Sequence, residues 1–125
     1  MHKSRLSAIV IDCHTDHIEH AAGFWSQLLG QPSYADEDGH RATILAGDTG
    51  MSLVLEGVRD EARIHFDIET DDLAAEIHRI ESLGGRKVSV VDHTVIMEAP
   101  TGHRFRLTGP TSHMLPSSGN VWGDE

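Results

Sequence analysis

The stretch Arg63 to Gly85, RIHFDIETDDLAAEIHRIESLGG, changes its periodicity once, and that change decides the fold. Arg63 to Glu69 alternates strictly, with Ile64, Phe66 and Ile68 on one face and His65, Asp67 and Glu69 on the other, as a half-buried strand does. From Thr70-Asp71-Asp72 the rhythm becomes helical. Acidic residues suit the positive end of a helix, and Leu73, Ile77, Ile80 and Leu83 recur at helical spacing. Gly84-Gly85 stops the helix. Downstream, Lys87 to Val91, Thr94 to Glu98 and Arg104 to Thr108 read as three short strands, the last two joined by a Pro100-Thr101-Gly102 turn. The unit is therefore strand, helix, strand, strand, strand.

Upstream, the same order is legible. Ser7 to Cys13 (SAIVIDC) is β-branched and apolar and reads as a strand. Thr15 or Asp16 is placed to cap a helix carrying Ile18, Ala21, Ala22, Trp25, Leu28 and Leu29, which ends at Gly30 before Pro32. Strands Arg41 to Ala46 and Met51 to Glu56 follow, joined by the turn Gly47-Asp48-Thr49-Gly50. Leu29-Gly30 recurs as Leu83-Gly84, and Thr49-Gly50 as Thr101-Gly102, at nearly constant separation. We read an internal duplication of a βαβββ module. The fold class is α+β: tandem βαβββ modules form a curved mixed sheet around a cleft, with the helices outside. One domain spans 1–109, with halves of about 6–57 and 62–109. A half of that size is marginal alone. Residues 110–125 form a C-terminal tail rich in Pro, Ser and Gly, with Met114, Leu115, Val121 and Trp122 as its anchors.

Composition narrows the function. Of 125 residues, 20 are Asp or Glu and 10 are Lys or Arg, for a formal net charge of -10. Such a chain lacks the basic footprint of a nucleic-acid binder. No run of roughly 18 apolar residues is present to span a membrane. Asp12 interrupts the only N-terminal apolar stretch, so no signal peptide is expected, and the single Cys13 fits a reducing cytoplasm. Ten histidines raise the question of metal chemistry. His14, His17 and His20 fall on a solvent-facing strip, and Cys13 reads as a small buried hydrophobe.

The segments IVIDC, GFWSQLLG, IHFDIETDDL, IESLGG and MEAPTGHRFRL, in this order, resemble the glyoxalase/bleomycin-resistance/dioxygenase superfamily, also called vicinal oxygen chelate proteins. Within it the chain resembles the glyoxalase-like domain branch, over Leu6 to Gly109. The group contains lyases, ring-cleaving dioxygenases, epimerases and pure binders, so the fold alone does not give the activity. Metal-using members take a ligand from the first and last strand of each half. His65 matches one such position. Its counterpart in the first strand falls at Val10, Arg106 stands where a Glu is typical, and the remaining position falls at Val54, with Glu56 one pleat further on. The resemblance thus implies one ligand, or two with Glu56. A divalent ion held by oxygen and nitrogen needs three or four. The expectation is therefore no cofactor, with a divalent metal disfavoured and no metal site assigned.

The alternation that turns His65 inward also turns in Asp67 and Glu69, and the repeat carries this to Asp12 and His14. His65 and Asp67 are the candidate catalytic pair. Asp12, His14, Glu56, Glu69, Glu98, Arg106 and Trp122 are candidate ligand-binding residues. Asp12 and Asp67 are equally readable as structural carboxylates, Asp67 as a partner of Arg106. The expected function is a cytoplasmic small-molecule-binding protein that takes a neutral or cationic ligand and forms a homodimer, as many relatives in the resembled group do. The alternative is a metal-assisted lyase, isomerase or dioxygenase.

Overall fold

The computed structural model describes residues 1–45, 52–110 and 119–123. The chain divides into two compact units, one of residues 8–65 and one of residues 1–7 with 66–125. Two strands, β1 (His2–His14) and β5 (Arg63–Thr70), contribute residues to both.

In the unit of residues 8–65, helix α1 (Ile18–Leu29) follows β1, and β2 (Ser33–Ala35), β3 (Arg41–Leu45) and β4 (Ser52–Val58) complete the module. The strand order is β2-β3-β4-β1, with β1 and β4 parallel and the other neighbours antiparallel. Ile11, Leu55, Ala42 and Ile44 point to one face and bury against Ile18 and Ala22 of α1, with Trp25 packed at the edge. The helix closes on Gly30, whose φ of 68° is the left-handed conformation that glycine adopts without strain. Its start differs from the expected cap. The first helical residue is Ile18, His17 is the N-cap without a side-chain bond, and Thr15 Oγ1 instead accepts from the His17 N–H at 3.0 Å. Leu28 and Leu29 were expected on the apolar stripe but are 61% and 46% exposed, because the buried contacts of α1 end near Trp25. The turn at 47–50 lies outside the described residues.

In the other unit, α2 (Leu73–Ser82), β6 (Arg86–Val91), β7 (Thr94–Glu98) and β8 (Arg104–Thr108) follow β5. The order is β5-β8-β7-β6, with β5 and β8 parallel. This repeats the first-with-last parallel pairing of the other module. Ile80 packs on Val95, Met97 and Leu107, with Ile68, Leu73, Ile77 and Phe105 around them. Asp72 caps α2 as expected, its Oδ1 accepting from the Ala75 N–H at 3.1 Å. A Cβ at Gly85 would lie 2.6 Å from Ile80 Cγ2, so any side chain there would displace the buried Ile80.

The chain's first residues belong to this unit. Lys3 offers its carbonyl to the Asp71 N–H and to Thr70 Oγ1, and His2 to Ser4 pair antiparallel with β9 (Asn120–Trp122). Of the expected tail anchors, Trp122 is engaged, whereas Val121, opposite Lys3 in the ladder, is 52% exposed. Met114 and Leu115 lie outside the described residues. The α+β class and the two βαβββ modules are as the periodicity predicts.

Candidate functional site

In the unit of residues 8–65, the parallel register of β1 and β4 pairs Val10 with Val54 and, one rung on, Asp12 with Glu56. Ala8, Val10 and Val54 form a small buried cluster on the face away from α1, and the next rung on that face carries the two carboxylates. The first residues of β5 add His65, whose Nε2 lies 3.3 Å from Asp12 Oδ1. One ligand atom from each of Asp12, Glu56 and His65 lies within 4.8 Å of the others. All three are half-buried. Across the β3–β4 pair, Arg41 sits opposite Glu56 and reaches Oε1 at 2.9 Å, with its own side chain 48% exposed.

This is a stronger constellation than the sequence register implied. The repeat lands on Val10 and Val54, one rung before Asp12 and Glu56 on the same face, so the sequence counted one or two ligands where the fold assembles three donors. Two carboxylates and an imidazole form an oxygen and nitrogen set that suits a divalent cation, and three protein donors leave coordination positions for water and a ligand. Asp12 Oδ1 is buried and accepts no hydrogen bond among the described residues. A buried carboxylate oxygen in that condition is costly unless a cation or a proton meets it. The residues present therefore fit a metal ion.

The remaining candidates are distributed differently. Asp67 is paired with Arg106, which donates from Nε at 2.7 Å and from a terminal nitrogen at 2.8 Å to the two carboxylate oxygens. This two-pronged pair satisfies the fork geometry of guanidinium and carboxylate. Glu69 is fully buried with Arg5 Nε at 3.1 Å. Glu98 is held by Arg86 at 3.0 Å and Arg104 at 3.2 Å, and these two guanidiniums keep its carboxyl below the ordinary range. His14 is exposed and donates Nδ1–H to the Asp60 carbonyl at 2.8 Å. Trp122 donates its indole N–H to Ser4 Oγ at 2.9 Å and lies 3.8 Å under the Arg79 guanidinium. Burial, and then the Asp12 charge, push the Cys13 thiol up, so it stays a protonated, half-buried side chain.

Three participants were not foreseen. Arg41 is betrayed by nothing except its cross-strand position opposite Glu56. Glu76, 1% exposed, accepts from His2 Nε2 and from Arg79. Its signal was available, because it falls between Leu73 and Ile80 on the apolar stripe of α2, where an acidic residue needs buried partners. His2, 3% exposed, lies before the expected start of β1.

A family model described as "Glyoxalase-like domain" matches residues 8–108. No curated protein matches the sequence. Among solved structures, methylmalonyl-CoA epimerase from Mycobacterium tuberculosis is 18% identical with a TM-score of 0.57, over 87% of this chain and 89% of that one. A glyoxalase/bleomycin resistance protein/dioxygenase superfamily member from Vibrio splendidus 12B01 is 18% identical with a TM-score of 0.57, over 86% and 99%. The 2,2',3-trihydroxybiphenyl 1,2-dioxygenase from Sphingomonas wittichii strain RW1 is 18% identical with a TM-score of 0.60, over 90% of this chain but only 43% of that enzyme. At these identities the likeness is one of fold. Among the described residues, no helix is long and apolar enough to cross a membrane.

Proposed function

The chain belongs to the glyoxalase-like domain family, and on that premise we propose that it is a divalent-cation-dependent member acting on a small oxygen-bearing molecule. The observation that carries this reading is the convergence of Asp12, Glu56 and His65. Asp12 and Glu56 bring the negative charge a cation needs, and His65 Nε2 is the nitrogen donor. When bound, such an ion supplies Lewis-acid polarisation of a ligand oxygen. Arg41 holds Glu56 in place and offsets part of the acidic charge. The half-buried position of all three donors limits water access, which strengthens their electrostatic action on a bound ligand. Lyase, isomerase and dioxygenase chemistry all remain within this class.

The test is a metal series on chelator-treated protein, reading melting temperature and metal content with Mn²⁺, Fe²⁺, Ni²⁺ and Zn²⁺. The expected result is one ion per chain and a saturable stabilisation of about 2.7 kcal/mol at a hundredfold excess over Kd. Asp12→Asn, Glu56→Gln and His65→Ala should each abolish it. Absence of any retained ion or shift overturns the reading.

A second reading is metal-free sequestration of a neutral or cationic small molecule. It is favoured by the acidic rung of Asp12 and Glu56, whose neighbouring guanidinium, Arg41, is half in solvent. Stabilisation by cationic compounds that persists in EDTA would select it over the first. A cytoplasmic homodimer without nucleic-acid partners completes the proposal, with light scattering as the check on the dimer.

A further inference from the structure

Beside α2, in the unit of residues 1–7 and 66–125, lies a second pocket of about 320 Å³ that the Asp12 site does not use. None of Asp12, Glu56 or His65 lines it. Its apolar lining comes from Leu6, Ile68, Ile80, Leu83, Phe105 and Trp122. Leu83 lines it while 67% exposed, a large apolar side chain left in contact with water. The volume is at the lower edge of the range of small-molecule sites, and such sites combine apolar walls with a few polar groups.

The polar groups of the wall identify the kind of occupant. Glu76 accepts from His2 Nε2 at 2.8 Å, from Arg79 Nε at 2.8 Å and from a terminal Arg79 nitrogen at 2.9 Å, so both of its oxygens are used. The flat face of Arg79 is covered by Trp122, and the Trp122 N–H is given to Ser4. The charges of Glu76 and Arg79 are thus spent on each other, and Arg5, which also lines the pocket, has its Nε 3.1 Å from the fully buried Glu69 carboxylate. A charged ligand would lose its hydration here and gain no counter-ion. An uncharged apolar one gains burial against the rings of Trp122 and Phe105.

We propose that this pocket is a binding site for an uncharged aromatic molecule of one or two rings. It does not depend on the metal reading, since its walls share no residue with the Asp12 site.

The probe is N-phenyl-1-naphthylamine, a neutral fluorophore, titrated into full-length protein carrying Trp25→Phe. Trp122 is then the sole tryptophan, because the chain has two. The expected result is saturable enhancement of probe emission with matching quenching of Trp122 by energy transfer, reversed by naphthalene. Ala99→Phe fills the pocket from a lining position. Leu83→Glu places a charge on the wall at an exposed position where folding is not threatened. Each should weaken binding about tenfold or more, the loss expected when a ring's worth of apolar burial is removed. Asp12→Asn should bind the probe as the parent does. Absence of saturable binding, binding unchanged in Leu83→Glu, or binding lost in Asp12→Asn each overturns the proposal.

Discussion

The first-with-last strand rung of each module solves the same placement problem with opposite charge. In one module Asp12 faces Glu56 across β1 and β4, two carboxylates side by side. In the other Asp67 faces Arg106 across β5 and β8, a carboxylate locked to a guanidinium. The contrast extends beyond the rung. In the unit of residues 1–7 and 66–125, Glu69 has Arg5, Glu76 has Arg79 and His2, and Glu98 has Arg86 and Arg104. In the unit of residues 8–65, Asp12 and Glu56 gather with His65, and the guanidinium of Arg41 touching Glu56 is half in solvent. Like charges placed directly opposite each other across strands are destabilising. On the proposed function, the rung left acidic is the one that an external cation would neutralise, as Arg106 neutralises Asp67 on the other side.

The widest gap between the two sides should appear when their arginines are removed. Glu69 is 0% exposed, and its Arg5 partner is 10% exposed. Arg5→Met takes the guanidinium away from a fully buried carboxylate and should cost about 3 kcal/mol in urea unfolding. Arg41→Met removes a guanidinium that is 48% exposed and should cost under about 1 kcal/mol. Equal losses from the two substitutions would break the distinction between a sealed module and an open one.

Glu76 supplies the next effect, and its direction with pH is fixed. Burial pushes its carboxyl up, but hydrogen bonds from Arg79, His2 and Ser4, with the Arg79 charge, outweigh burial and hold it below the ordinary value. A group whose folded pKa is depressed stabilises the fold above its unfolded pKa and loses that contribution as pH falls through the folded value. Glu76→Gln should therefore cost about 2 kcal/mol near neutrality, the scale of hydrogen bonds to a charged group. The parent and variant stability curves should converge as pH drops below roughly 4.3, where a free glutamate titrates. Parallel curves down to the acid limit would show that the Glu76 charge is not what the network holds.

How far the sequence predicted these features follows from where each signal resides. β5 and α2 are legible to within about a residue at each end, because alternation and helical spacing meet at Asp72, which caps the helix, although Leu83, read on the apolar stripe, is the exposed C-cap. β2 is not, since three residues, Ser33-Tyr34-Ala35, carry no period of their own and are ordered by pairing with β3. The residues before Ser7 carry no strand signal of their own, yet His2 to Ser4 are held by β9, which is distant in sequence. At the candidate site the inward face was legible from alternation, but the rung was not. Val10 and Asp12 share that face, and only the β1–β4 register shows that the carboxylates, not the valines, sit beside His65. Partners such as Arg41 and Arg5 come from neighbouring chain segments, and no local pattern announces them.

The smallest effect is the most diagnostic, because it has the opposite sign to the others. Asp12→Asn removes one of two facing negative charges and nearly preserves shape. It also leaves an amide that can donate to Glu56. Without metal, the variant should be about 0.5 kcal/mol more stable than the parent, the scale of a cross-strand pair relieved of repulsion. With Mn²⁺ or Zn²⁺ in excess the order should reverse, since the parent gains the binding free energy and the variant does not. Paired melting curves in EDTA and in metal read both signs on the same samples. A variant less stable than the parent in EDTA would mean that Asp12 is a structural partner of His65, like Asp67 of Arg106, and the two rungs would then differ in sequence but not in purpose.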